Sequence, residues 1–180
     1  EAFDKTAKIL GLGYPGGPKV EAFARQGDPA AVPLPRPLFR SAEPHFSFAG
    51  LKSAVVRAHQ GGIYRPEDIA ASFQQAVVDC LRDRLEKAIA EQASCAHLVV
   101  AGGVAANGPI RAMLEQVAEQ NSMAFTAPPQ WLCTDNAAMI AWAGAERFAA
   151  GLTDPLDFVA RPRWPLDPTA DKARGAGVKA

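Results

Sequence analysis

The sequence predicts an α/β fold built on a mostly parallel sheet, and three observations carry that expectation. His97-Leu98-Val99-Val100-Ala101 is a short apolar, β-branched run of the kind that forms a buried strand. Gly102-Gly103 follows at once, and Pro109 then opens a helix in which Ile110, Met113, Leu114 and Val117 recur at helical spacing. Met123 to Ala127 is a second short strand, so the chain reads strand, helix, strand, with a right-handed crossover.

The whole-chain figures bound what such a fold can do. The chain has 180 residues, the size of one ordinary domain, and 48% are hydrophobic, enough for a core. Lys plus Arg number 19 and Asp plus Glu number 19, so net charge gives no sign of a general nucleic-acid or membrane binder, though a local basic face stays open. No apolar run reaches the ~20 residues of a membrane span. No secretory leader is visible; the chain starts at Glu1 and reads as the middle of a longer protein. Cys80, Cys95 and Cys133 stand singly, which argues against a disulfide framework or zinc knuckle and for a reducing, cytoplasmic setting.

Taken in order, Glu1 to Leu12 is helical, with Phe3, Ala7 and Leu10 on one face and Asp4 outside that stripe, as a solvated acid would be. Tyr14-Pro15-Gly16-Gly17-Pro18 is a sharp turn that either reverses the chain or presents bare backbone to a ligand. A short helix over 19–26 buries Val20, Phe23 and Ala24 and leaves Glu21 on another face. Residues 28–44 are proline-rich and read as extended or polyproline-like, with Arg36 and Arg40 as their cations.

Ser47 is a plausible N-cap for a helix reaching about Gln60. Lys52, Arg57 and His59, interleaved with Phe46 and Phe48, offer a face for an RNA backbone; the alternative is two core aromatics with a solvated rim. His45 and His59 are not four residues apart and make no metal pair. Pro66 opens the longest helix, to about Ala93, with Ile69, Phe73, Val77, Cys80, Leu81, Leu85 and Ile89 inward and Asp79, Arg82, Asp83, Glu86 and Lys87 as a solvated face. It reads as scaffold.

The glycine turn at 102–103 admits a flat ligand close to the backbone and aims helical N–H groups at it, with the Asn107 amide alongside. It reads equally as a tight connection in the sheet. After Pro128-Pro129, Thr134 or Asp135 caps a helix reaching Ala150, to which Met139, Ile140, Trp142, Ala143 and Phe148 supply apolar contacts. Asp135 is either that cap or a functional carboxylate at the carboxyl edge of the sheet. Disorder is expected from about Pro168.

The strings EAFDKTAKILGL, YPGGPKVEAFA, HFSFAGLKSAV, DIAASFQQAVVD, LVVAGGVAANGPIR, LCTDNAAMIAWAG and RPRWPL occur in this order, and together they closely resemble the TsaD family. The resemblance implies the C-terminal portion of an actin-like, sugar-kinase and Hsp70-type ATPase fold with a helical insertion. Its parts are a substrate-binding insertion at 1–62, an α/β nucleotide-binding portion at 63–165 and a tail at 166–180. It implies transfer of a threonylcarbamoyl group from threonylcarbamoyl adenylate to N6 of the adenosine 3′ of the anticodon, in tRNAs reading codons that begin with A. Asp4, Gly17, Glu21 and Asn107 match the family's substrate-binding positions, and Asp135 its metal-ligand aspartate.

The implied cofactor is one divalent ion, iron with zinc or magnesium as alternatives. Its other ligands, a histidine pair four residues apart, lie N-terminal to this chain, which has no H-x-x-x-H. Implied partners are tRNA, a TsaB-like paralogue and a TsaE-like ATPase, with no membrane. The fragment alone is expected to be inactive. A small-molecule kinase of the same fold and a non-enzymatic partner-binding module are the alternatives. Asn107→Ala is expected to weaken adenylate binding rather than folding.

Overall fold

The structure, a computed structural model, describes residues 1–42, 45–92, 94–133, 136–159 and 169. Six α-helices and two strands are laid out as α1 (Ala2–Ile9), α2 (Gly16–Ala24), α3 (Ala49–Gln60), α4 (Pro66–Glu91), β1 (His97–Val99), α5 (Gly108–Gln120), β2 (Ala124–Thr126) and α6 (Ala137–Ala149) among the described residues. Short 3₁₀ turns cover Gly103–Ala106 and Gln130–Leu132. The chain divides into two compact units, residues 1–134 and 135–180.

The core of the first unit is helical. α4 is its axis: Ile69, Phe73, Ala76 and Val77 are buried, and α1, α2, α3 and α5 supply Phe3, Ala7, Val20, Leu51, Val55, Ile110 and Val117 to the same cluster. The Phe3 ring meets Phe73 edge-on at 5.1 Å. The stripe read from the sequence is thus the packing face of α4. The compact unit runs without a break through residue 62.

β1 and β2 pair in parallel, with Leu98 opposite Phe125, which gives the expected βαβ unit. The expected burial of the first strand does not hold. His97 is exposed and Val99 is 70% exposed, because α5 covers one side of a two-stranded sheet and no further strand is present among the described residues.

The face of α4 expected to be solvated instead holds residues 28–42. The Asp68 carboxylate accepts from the Asp28 N–H at 2.9 Å, and Ser72 Oγ accepts from the Val32 N–H at 3.1 Å. Arg36 pairs with Asp79 at 2.9 Å, the Asp83 carboxylate accepts from the Arg40 N–H at 3.1 Å, and Lys87 donates to the carbonyls of Ser41 and Ala42. Val32 and Leu34 of this strap are buried in the core cluster.

The strap's end-to-end reach also corrects the expectation of extended chain. From Asp28 to Arg40 it keeps pace with α4 from Asp68 to Asp83, a helical rise of about 22 Å. A polyproline helix over the same residues would cover roughly 37 Å. The slack is taken up by turns, with positive φ at Leu38 (60°) and Arg40 (61°). At the strap's start, a Cβ on Gly27 would lie 2.1 Å from the Glu67 carbonyl oxygen, so only glycine lets the two backbones come this close.

Three helix starts differ from their sequence reading. α2 begins at Gly16, so Gly16, Gly17 and Pro18 form its first turn; a proline there removes an N–H that has no intrahelical acceptor. α3 is preceded by Phe48, not capped by Ser47. α6 is capped by Asn136, whose side chain accepts from the Met139 N–H at 3.0 Å. In the second unit, Met139, Ile140, Trp142 and Phe148 of α6 are each more than half exposed, rather than packed as expected, because none of the described residues of that unit forms a second element to bury them. Thr134, Asp135 and the segment Arg161 to Pro165 lie outside the described residues.

Candidate nucleotide site along helix α2

Four of the five candidate residues line up along α2. Its first residue, Gly16, has proline before it, which carries no side-chain acceptor, so no local cap forms. Asp4 supplies the cap from α1: its Oδ1 accepts from the Gly16 N–H at 2.9 Å. A carboxylate here also meets the positive end of the helix dipole. The solvated-charge reading of Asp4 is therefore incomplete, although half of its side chain still faces solvent. A Cβ on Gly16 would lie 2.5 Å from the Asp4 Cα, so packing requires glycine there. Gly17 differs, because a Cβ there would meet nothing within 4 Å. Its bare backbone serves no packing need and leaves open space over the first turn of α2.

Gly17 and Glu21 share a helix face, being four residues apart. The Glu21 carboxylate is mostly buried and is shared among three donors. Arg25 reaches Oε1 at 2.9 Å, and Oε2 accepts at 3.3 Å from both the Gly108 N–H and the Asn107 Nδ2. Glu21 thus closes the N-terminus of α5 from outside that helix. Glycine at 108 eases this approach, since a Cβ there would stand 3.0 Å from Glu21 Oε1.

Asn107 is 7% exposed and holds its amide at both ends. Its Oδ1 accepts from the Ile110 N–H at 3.1 Å as the cap of α5, and its Nδ2 donates to Gln74 Oε1 at 3.0 Å as well as to Glu21. From the sequence, Asn107→Ala is expected to weaken adenylate binding rather than folding; these three bonds give Asn107 a structural role as well. The glycine turn before it is real: Gly102 has φ 89°, which L side chains rarely adopt, and a 3₁₀ turn carries the chain from there to Asn107.

An open depression of about 610 Å³ lies on the Asp4 side, lined by Glu1, Asp4, Lys5, Lys8, Gly11, Gly13 and Tyr14. It touches the α2 arrangement through Asp4 alone. On α3, Lys52 is paired with Glu1 at 2.8 Å, and the Phe46 and Phe48 rings stack 6.4 Å apart with Phe46 57% exposed, not in the core. Arg57 and His59 are exposed.

The structure brings Asp4, Gly17, Glu21 and Asn107 together along one helix, while Asp135 lies outside the described residues. Among the described residues no group of three or more His, Cys, Asp or Glu could hold a metal ion, so they do not make a metal centre by themselves. Sequence reasoning missed Gln74 and Arg25, which complete the network; Gln74 lies within α4 and Arg25 just past the end of α2, with no pattern to mark either.

Parallel strands joined through a glycine turn and a helix define an α/β protein. The sequence matches the TsaD family, described as tRNA N6-adenosine threonylcarbamoyltransferase, over residues 1–142, and the chain belongs to that family. A protein named tRNA N6-adenosine threonylcarbamoyltransferase from Sphingopyxis alaskensis is 71% identical over 180 residues, all of this chain and 52% of the relative. Proteins of the same name from Erythrobacter litoralis and Zymomonas mobilis are 68% and 65% identical, over all of this chain and 52% and 51% of their own lengths. The chain spans about half the length of the curated relatives it matches.

Proposed function

We propose that this chain is the C-terminal part of a tRNA N6-adenosine threonylcarbamoyltransferase with an actin-like fold. Residues 1–62 serve as the substrate-binding insertion, 63–165 as the α/β portion and 166–180 as a tail. In the proposed reaction N6 of the tRNA adenosine bonds to the carbamoyl carbon of threonylcarbamoyl adenylate. The bond from that carbon to the phosphate oxygen breaks, adenylate leaves, and N6 gives up a proton.

The observation that carries the reading is the convergence on α2. Asp4 and Glu21 are carboxylates able to accept from ribose hydroxyls, and Gly17 leaves room for a flat nucleoside between them. Asn107 offers the second lone pair of its Oδ1, its other groups being engaged. Asp135 is proposed as one ligand of a divalent ion, iron before zinc or magnesium, with the other ligands outside this chain. A TsaB-like paralogue, a TsaE-like ATPase and a cytoplasmic location belong to the same proposal; among the described residues no helix is long and apolar enough to cross a membrane.

The test is to incubate the full-length protein carrying this sequence, with its partners, with threonylcarbamoyl adenylate and tRNA, then digest the tRNA and weigh its nucleosides. The modified adenosine is expected with the wild type and is expected to be lost with Asp135→Ala. Full-length wild type that leaves the adenosine unmodified, or phosphorylates a small molecule instead, refutes the transferase reading. Normal transfer by Asp135→Ala refutes the metal role.

A further inference from the structure

Asn107 can serve a nucleotide only if its amide faces the right way, and an amide has no intrinsic preference between its two orientations. The Ile110 N–H asks for the oxygen on the α5 side, at 3.1 Å. On the other side two acceptors ask for the nitrogen: Gln74 Oε1 on α4 at 3.0 Å and Glu21 Oε2 on α2 at 3.3 Å. Under the proposed function Glu21 turns part of its carboxylate to a ribose, and it already serves Arg25 and the Gly108 N–H. Gln74 stands on a helix anchored in the core by its neighbours Phe73 and Val77, and it is itself partly buried.

We infer that Gln74 is a positioning residue for the nucleotide site. From α4 it holds the Asn107 amide in its binding orientation when Glu21 engages ligand. The inference rests on the proposed function and assigns a role in binding to a helix that reads as scaffold.

The experiment uses the full-length protein, with a non-hydrolysable threonylcarbamoyl adenylate analogue titrated by calorimetry and thermal unfolding recorded without ligand. Gln74→Leu removes the acceptor at similar volume and is expected to lower affinity roughly tenfold, the loss of one well-placed hydrogen bond. Gln74→Glu keeps an acceptor, with a second carboxylate near Glu21 as its cost, and is expected to stay within about threefold of wild type. A purely structural residue would shift the melting temperature and leave the affinity of the folded protein unmoved. Wild-type affinity in Gln74→Leu overturns the inference, as does an equal loss in both variants. Should Gln74→Leu not fold, Gln74→Met also lacks the acceptor and is read in the same way. Failure of the wild type to bind the analogue overturns the proposed function instead.

Discussion

Replacing Asn107 by alanine removes three hydrogen bonds at once. The cap on Ile110 N–H is worth about 1 kcal/mol against alanine. The bonds to Gln74 and Glu21 add roughly 0.5–1.5 kcal/mol each, toward the low end for Glu21, whose carboxylate keeps Arg25 and the Gly108 N–H. The structure therefore predicts a loss of about 2–3 kcal/mol for Asn107→Ala. Asn107→Ser keeps a capping oxygen and loses both bridges, so it is expected to recover about 1 kcal/mol of that deficit. Urea denaturation of the full-length variants, followed by tryptophan fluorescence, measures both. A loss under ~0.5 kcal/mol for Asn107→Ala, the range of an uninvolved surface site, would show that the network does not hold α2, α4 and α5 together.

Thr6 is fully buried in α1 and its hydroxyl has no hydrogen-bond partner among the described residues, so Thr6→Val, which keeps the shape and removes the orphan, is expected to stabilise by about 1 kcal/mol in the same denaturation assay. A destabilised variant would mean that the hydroxyl is satisfied in solution. Burial pushes the Cys80 thiol from 9.0 up to about 11, with Arg36 acting against the rise and Asp79 adding to it. Its folded pKa lies above its unfolded one, so the stability it contributes is complete below about pH 9 and fades as pH climbs toward 11. In the native protein, iodoacetamide at pH 8.5 is expected to label exposed Cys95 long before Cys80, read by peptide mass mapping. Equal labelling rates would contradict that burial.

Periodicity was enough to find α4 and α5, since both bury an apolar stripe that repeats at 3.6 residues, and the βαβ order followed from the glycine turn between them. The strap was not legible. Its amides and carbonyls bind α4, and backbone groups leave no trace in residue identity, so Asp83 and Lys87 read as solvent-facing and nothing marked Asp68 or Ser72 as partners of the loop. Asp4 looked like a surface acid for a related reason: its partner is an N–H twelve residues away, in a helix whose own preceding residue is proline. Gly16 and Gly17 look alike in sequence. Only the neighbouring Asp4 backbone separates the glycine needed for packing from the one that leaves open space.

The way α4 grips residues 28–42 sets which side of that pairing can drift. Asp28, Val32 and Arg40 are held by their amides, and Ser41 and Ala42 by their carbonyls, groups that nearly every residue type carries. The helix answers with the side chains of Asp68, Ser72, Asp83 and Lys87, which alanine cannot imitate. Mutational tolerance is therefore lopsided: outside Arg36, which pairs with Asp79, and the buried Val32 and Leu34, much of the loop can be respelled while its path is kept, whereas a change to the helix side chains removes the contacts themselves.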